Sequence, residues 1–205
     1  MKKIIAFALA ALMVLSFAAC KGSAKTYDLG NSDRARGFYT KYTSMVEKFG
    51  EGKVEDGKLC GVAVVRFFDF TGDGEYEMVL GYSSEKDGEV DTMAVYGFDM
   101  GLADLLDEKI ISADKNGACM WFYTDSADLC YLVKGEDLET FRTYEYFQKN
   151  DSEGKPLFKF AEAFTTEGED LNGKYDKIYL ASGDFEAVLA ESENAVKSME
   201  NQKTE

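Results

Sequence analysis

The sequence predicts an α+β fold, an antiparallel β-meander sheet flanked by an N-terminal and a C-terminal α-helix. Three observations carry that expectation. Apolar residues recur at spacings of three and four near each end of the mature chain, which is the stripe of an amphipathic helix. Between them lie short runs rich in β-branched and aromatic residues, separated by turn formers. The connections between runs are too short to hold crossover helices, so neighbouring strands must pair antiparallel.

The first helix is expected after a cap at Asn31 or Ser32. Ala35, Phe38, Tyr39, Tyr42, Met45, Val46 and Phe49 form its stripe, and Gly50 suits its end. Residues Glu51 to Lys58 are glycine-rich and charged and read as a loop. Strands are expected at Cys60–Phe68, Tyr76–Ser83, Asp91–Phe98, Ala118–Thr124, Asp128–Lys134, Glu139–Lys149 and Leu157–Phe164, with a weaker one at Lys177–Ala181. Their separators are Thr-Gly-Asp-Gly, Lys-Asp-Gly, Asp-Ser-Ala-Asp and Ser-Glu-Gly-Lys-Pro. Leu102–Ala113 is ambiguous: Leu102, Leu105 and Leu106 suit a helical turn, whereas Ile110 and Ile111 suit a strand. The last helix is expected behind an Asp184 cap. Its face is Phe185, Val188, Leu189, Ala195, Val196 and Met199, with fraying from Asn201 to Glu205.

The chain opens with Lys2 and Lys3, an apolar run from Ile4 to Phe17, and Ala18-Ala19-Cys20. The run has the length of a signal-peptide core and is too short to span a bilayer. Its end resembles the lipobox of bacterial lipoproteins, with Phe17 where that family usually has leucine. The resemblance implies cleavage before Cys20, diacylglycerol on its sulfur, and a protein exported and held at a membrane by lipid. An ordinary secretory signal cut near Ala18 or Ala19 is the alternative. The organisation expected is therefore a lipoprotein signal peptide at 1–19, a lipidated cysteine and flexible tether at 20–31, one α+β domain at 32–201, and a frayed tail at 202–205.

The chain has 23 basic and 38 acidic residues. Without Lys2 and Lys3 the basic count falls to 21 and the net charge to −17. Such a surface repels nucleic acid and anionic headgroups, so lipid must supply the membrane affinity. There is no histidine. This excludes Ser-His-Asp and Cys-His catalysis and removes the commonest zinc ligand. Of Cys60, Cys119 and Cys130, no pair is expected to bridge. With a turn at Asp125–Asp128, Tyr123 faces Cys130, which leaves Cys119 roughly 13 Å away. A disulfide needs about 7 Å or less between Cα atoms.

One loop carries chemistry. Between the first two strands of the sheet, oxygen-bearing residues alternate: Asp69, Thr71, Asp73, Glu75 and Glu77, with Gly74 at the turn. Ca²⁺ takes six to eight oxygens, and glycine permits the sharp bend. The segment resembles the calcium loops of FG-GAP and VCBS repeats, Asp-x-Asp-x-Asp-Gly-x-x-Asp. The resemblance implies side-chain ligands at Asp69, Thr71, Asp73 and Glu77 and a backbone ligand at Glu75. Thr71 departs from the usual Asp or Asn. The loop is not an EF-hand, because the twelfth position is Leu80. Asp and Thr also close turns on their own backbone without metal. The order of helix, strand with this loop, and meander also looks like a widespread class of lipoproteins from Gram-positive bacteria, a likeness that names no function.

The aromatics Phe67, Phe68, Trp121, Phe122, Tyr123, Tyr144, Tyr146 and Phe147 suit either a sugar-stacking platform or a core. The pairs Glu167/Glu169 and Asp184/Glu186 suit either glycosidase acids or a solvated surface. The reading expected from the sequence is a surface-tethered, non-catalytic module. It would bind a protein or glycan of the cell envelope, with a Ca²⁺ site in the loop. An extracytoplasmic hydrolase using carboxylates is the alternative.

Overall fold

The computed structural model describes residues 26–110, 119–135, 140–150, 153–154, 156–180 and 183–204. The first elements of the described chain are helix α1 (Ser32–Phe49) and a hairpin of β1 (Lys53–Glu55) and β2 (Lys58–Cys60). A four-stranded meander follows: β3 (Val62–Phe68), β4 (Glu77–Tyr82), β5 (Thr92–Asp99) and β6 (Leu102–Ile110). Then come β7 (Cys119–Thr124), β8 (Cys130–Lys134), β9 (Arg142–Asn150), β10 (Pro156–Thr166) and β11 (Lys174–Tyr179). These form a second sheet in the order β10-β9-β8-β7-β11. Helix α2 (Phe185–Gln202) closes the chain. Every strand pair is antiparallel, as the short connections require.

The predicted meander thus divides into two main sheets, and the molecule has three layers. Both helices pack on one face of the four-stranded sheet, where Phe38, Phe67, Met78, Leu80, Ala94 and Met199 meet. The five-stranded sheet covers the other face, through Val64, Val79, Val95, Met120, Phe122 and Leu132. A sheet buried on both sides loses the apolar–polar alternation of a one-sided sheet. That is why β3 and β4 read as nearly unbroken apolar runs and bury almost every residue.

Helix α1 keeps the predicted bounds. The Asn31 carboxamide caps it by accepting the Arg34 N–H at 2.7 Å, and Gly50 ends it at φ 93°. Asp184 caps α2 as expected, accepting the Ala187 N–H at 3.0 Å. Two serines on α2 that the apolar stripe omitted are also buried, Ser192 and Ser198. Ser192 has a structural task. Strand β3 is an edge strand with a register shift between Val62 and Val64. Ser192 Oγ accepts from Val65 N at 3.1 Å and lies 2.9 Å from the Ala63 carbonyl. It therefore satisfies the backbone groups that an edge leaves open. Arg66, 2% exposed, donates to the same hydroxyl and pairs with Glu191 at 2.7 Å.

Several expectations are corrected. Glu51–Lys58 is not a loop, because 53–60 form the β1–β2 hairpin around Asp56 and Gly57. Leu102–Ala113 is strand as far as Ile110, and residues 111–113 lie outside the described chain. Its helical look has a cause. Val95 pairs with Asp107 but Tyr96 with Leu105, so Leu106 is bulged and the leucine spacing loses its period of two. The β7–β8 register is one residue off the expected one: Thr124 faces Cys130 and Tyr123 faces Tyr131. The turn takes in Leu129, because Ala127 N and Leu129 N both donate to the Asp125 carboxylate. This moves Cys119 further from Cys130 along the ladder, and Cys60 and Cys130 are free thiols.

The tether and the tail also differ from expectation. Tyr27 and Leu29 are buried rather than loose. The Tyr27 ring packs edge-on against Phe67 and Tyr76. Gln202 donates to the Tyr27 carbonyl at 2.7 Å and accepts the Leu29 N–H at 2.9 Å. The helix therefore holds at Gln202, where fraying was expected.

Candidate functional site

The antiparallel layout gathers several features at one pole of the molecule. The loop between β3 and β4, the β5–β6 hairpin turn and the start of α1 all lie there. Arg34 links them: its guanidinium pairs with Glu75 and lies 5.6 Å above the Phe98 ring. Residues 26–30 end at the same place, clamped by the last turn of α2.

The loop is closed on its own amides. Asp69 Oδ1 accepts the Gly72 N–H at 2.7 Å and the Asp73 N–H at 3.3 Å, and Oδ2 accepts the Gly74 N–H at 2.8 Å. The Thr71 hydroxyl lies 3.4 Å from the same carboxylate. Gly72 and Gly74 take φ of 67° and 82°, which turns successive N–H groups inward onto Asp69. Asp73 Oδ1 accepts the Glu75 N–H at 2.9 Å. Glu77, 7% exposed, accepts the Phe70 N–H at 2.8 Å and so fastens the base of the loop.

The five residues singled out for Ca²⁺ therefore share one loop. Asp69, Thr71, Asp73 and Glu77 hold the turn, and the Glu75 carboxylate pairs with Arg34, which does not engage the backbone oxygen expected of that residue. The donor types suit a hard cation. Their placement is that of a self-closed turn, and a cation must compete with backbone N–H groups for the Asp69 oxygens. Among the described residues no three acidic or thiol side chains gather closely enough to hold a metal ion.

Beside the loop lies a cleft of about 300 Å³ between the two sheets. Phe68 and Tyr76 form apolar wall, and Asp69, Asp128 and Asp176 face it together with Lys174 and Thr124. Residues from three separate segments meet there, so no local motif announces it. Cys130 lines its floor and is 2% exposed. Burial pushes that thiol up to about 12. Asp176, Glu77 and Asp69 add to the rise, against a hydrogen bond with Thr124. Cys130 is therefore a packing residue and not a nucleophile.

The remaining candidates fall into structural roles. Phe67, Trp121, Phe122, Tyr123, Tyr144 and Phe147 are buried, whereas Phe68 and Tyr146 are partly exposed. The aromatic platform is thus mainly core. On the outer face of the five-stranded sheet, Lys177 and Arg142 lie over the Trp121 ring at 4.2 and 4.9 Å. Asp170 pairs with both cations, and the Arg142 hydrogen bond holds its carboxyl below the usual range. Asp184 is a helix cap, and Glu167, Glu169 and Glu186 are exposed. Glu77 is the single buried carboxylate among the described residues. Cys20 lies outside the described residues. No described helix is long and apolar enough to cross a membrane.

No protein-family model matches the chain, and no curated protein or solved structure matches it either. The functional reading rests on the residues themselves.

Proposed function

We propose that the protein is a lipid-tethered, non-catalytic binding module of the cell envelope. In this reading Cys20 is the lipidated residue and the pole around Asp69–Glu77 carries the binding surface. The cleft beside the loop is the observation that carries it. It lies where two rigid sheets and a hydrogen-bonded loop meet, it is walled by aromatic carbon, and three carboxylates outnumber its one lysine. Such a lining suits a partner that presents a cationic group against an apolar neighbour. Burial of most of the candidate aromatic platform favours a protein partner over a stacked glycan. The hydrolase alternative asks for facing buried acids, and the lone buried carboxylate Glu77 gives it little support.

A photo-crosslinking side chain placed at Asp128, in the cleft, tests the reading in the native envelope. Adducts are expected there and not from the same probe at Glu55. Equal labelling at both positions refutes the cleft as the binding surface.

Calcium belongs to this reading as a weak ligand of the loop, at about 10⁻⁴–10⁻³ M, since it must displace amide hydrogen bonds. At about 5 mM Ca²⁺ and a dissociation constant of about 10⁻³ M, the stabilisation is about 1 kcal/mol. The melting temperature should then rise by about 2–4 °C. A melting curve unmoved by Ca²⁺ leaves the loop as a structural turn alone.

A further inference from the structure

The β5–β6 hairpin has a turn that its fold does not explain. Asp99 pairs with Leu102, so Met100 and Gly101 are the two turn residues. Their φ values are 45° and 88°. Such a turn favours Asn-Gly or Asp-Gly, because both residues sit in the left-handed region. An unbranched apolar side chain at the first position costs conformational energy there. Met100 makes no core contact in return. It is 91% exposed, and Leu102 beside it is 66% exposed. A strained, solvent-facing methionine next to an exposed leucine at the hairpin tip points to an occupant outside the chain.

The position of this tip indicates which occupant. It lies at the pole where the described chain begins. A Cβ on Gly37, near the start of α1, would sit 2.7 Å from the Phe98 ring and 3.4 Å from the Gly101 carbonyl. Phe98 in turn touches Phe38 at 6.1 Å, and Phe38 touches Phe67, against which Tyr27 packs. Cys20 is six residues before Thr26. Six residues reach at most about 20 Å, less than the width of a small domain. Whatever holds Cys20 therefore holds this pole close to the same surface.

We propose that the hairpin tip Met100–Leu102 inserts shallowly into the membrane, as a second contact beside the lipid on Cys20. This rests on the lipoprotein reading above. The diacylglycerol expected on Cys20 carries two acyl chains and anchors by itself, and the tip adds a further apolar contact that slows release. It also fixes orientation, with the Asp69 loop and its cleft near the bilayer. Asp99 and Asp104 on the same hairpin are exposed, so apolar contact and not charge supplies the attraction.

The test uses the full-length, lipidated protein in phosphatidylcholine vesicles. An environment-sensitive fluorophore is attached at Met100→Cys and, as a control at the far pole, at Glu55→Cys. Wild-type protein taken through the same labelling sets the background from native thiols. The expected result is a blue shift at position 100, quenched by lipids brominated along the chain, and no shift at position 55. Met100→Ser with Leu102→Ser should speed transfer between vesicles by about tenfold, since partial burial of two such side chains is worth about a decade. Mass analysis of Cys20 is read in parallel. If Cys20 carries lipid and the probe at 100 stays as water-exposed as the probe at 55, the insertion is refuted and the anchor stands. If Cys20 carries no lipid, the anchor reading fails and takes this proposal with it. A shift at position 100 in native envelopes but not in protein-free vesicles assigns the tip to a protein partner and overturns the proposal.

Discussion

The most exacting test of the loop is Asp69→Ala. The carboxylate accepts three backbone N–H groups, from Gly72, Asp73 and Gly74, and faces the Thr71 hydroxyl. Hydrogen bonds to a charged acceptor are worth about 1.5–3 kcal/mol each in protected sites. Gly72, Asp73 and Gly74 are exposed, so water replaces much of what is lost. A helix-cap carboxylate, which faces a similar exchange, is worth about 0.5–2 kcal/mol. With three amides affected, we expect a loss near the top of that range, about 2 kcal/mol. For a chain of this length that lowers the melting temperature by about 4–8 °C. Asp69→Asn keeps one carbonyl oxygen in place and should lose about half as much.

The assay is reversible denaturation of wild type and both variants, once in chelator and once in millimolar Ca²⁺. Closure on the amides predicts that most of the loss is present in chelator. A loss that appears only with Ca²⁺ would refute this reasoning and make the metal the loop's organiser. A loss under about 0.5 kcal/mol in both conditions would mean that water satisfies the amides as well as Asp69 does.

Other expectations follow from the same contacts. Ser192→Ala should cost about 1–3 kcal/mol by denaturant melting, because Val65 N and Arg66 lose their buried partner; an effect within error would show that the β3 edge finds water. Cys60 and Cys130 should resist thiol reagents in the native protein and react on unfolding, since burial raises both thiols; rapid native labelling of Cys130 would contradict its place in the core. At Asp91 burial pushes the carboxyl up, but hydrogen bonds from the Ser84 and Thr92 hydroxyls and the Ser84 N–H outweigh it and hold it low. Its stabilisation is therefore complete above the unfolded value of about 3.9 and lost as pH falls through the lower folded value. Asp91→Asn should flatten the acid limb of the stability profile below about pH 4, and an unchanged limb would assign that limb to other carboxylates.

Much of the fold was legible because local and tertiary forces agree. The stripe of α1 has an Asn31 cap and a Gly50 stop, and both appear in the structure. Strands β3 to β5 were visible because a doubly covered sheet writes itself as apolar runs. The misses have physical causes. The β1–β2 hairpin is built from charged residues and owes its order to docking, with Glu51 bridging Val62 and Cys60 bridging Glu89. A bulge at Leu106 imitated helical spacing. The Asp125 side chain drew Leu129 into its turn and shifted a register that counting alone placed one residue away. Ser192 and Arg66 were invisible because their burial depends on an edge strand that only the sheet order identifies.

The loop shows the limit most clearly. Alternating oxygens mark a place where backbone N–H groups or a cation will be collected, and the sequence alone does not separate the two. Arg34 offers a way to separate them. It is buried at the start of α1 and pairs with the half-exposed Glu75 carboxylate. That pairing offsets one negative charge of the loop beside Asp69, whose own oxygens accept backbone amides. Arg34→Met should therefore change the loop more in calcium than in stability. With Glu75 released, the carboxylates repel one another more strongly and a divalent cation gains a further oxygen. The expected outcome is a calcium-induced melting shift larger than in wild type, read against the same variant in chelator. An unchanged shift would show that Glu75 stays in place without its partner, and that the turn, not the ion pair, sets the loop.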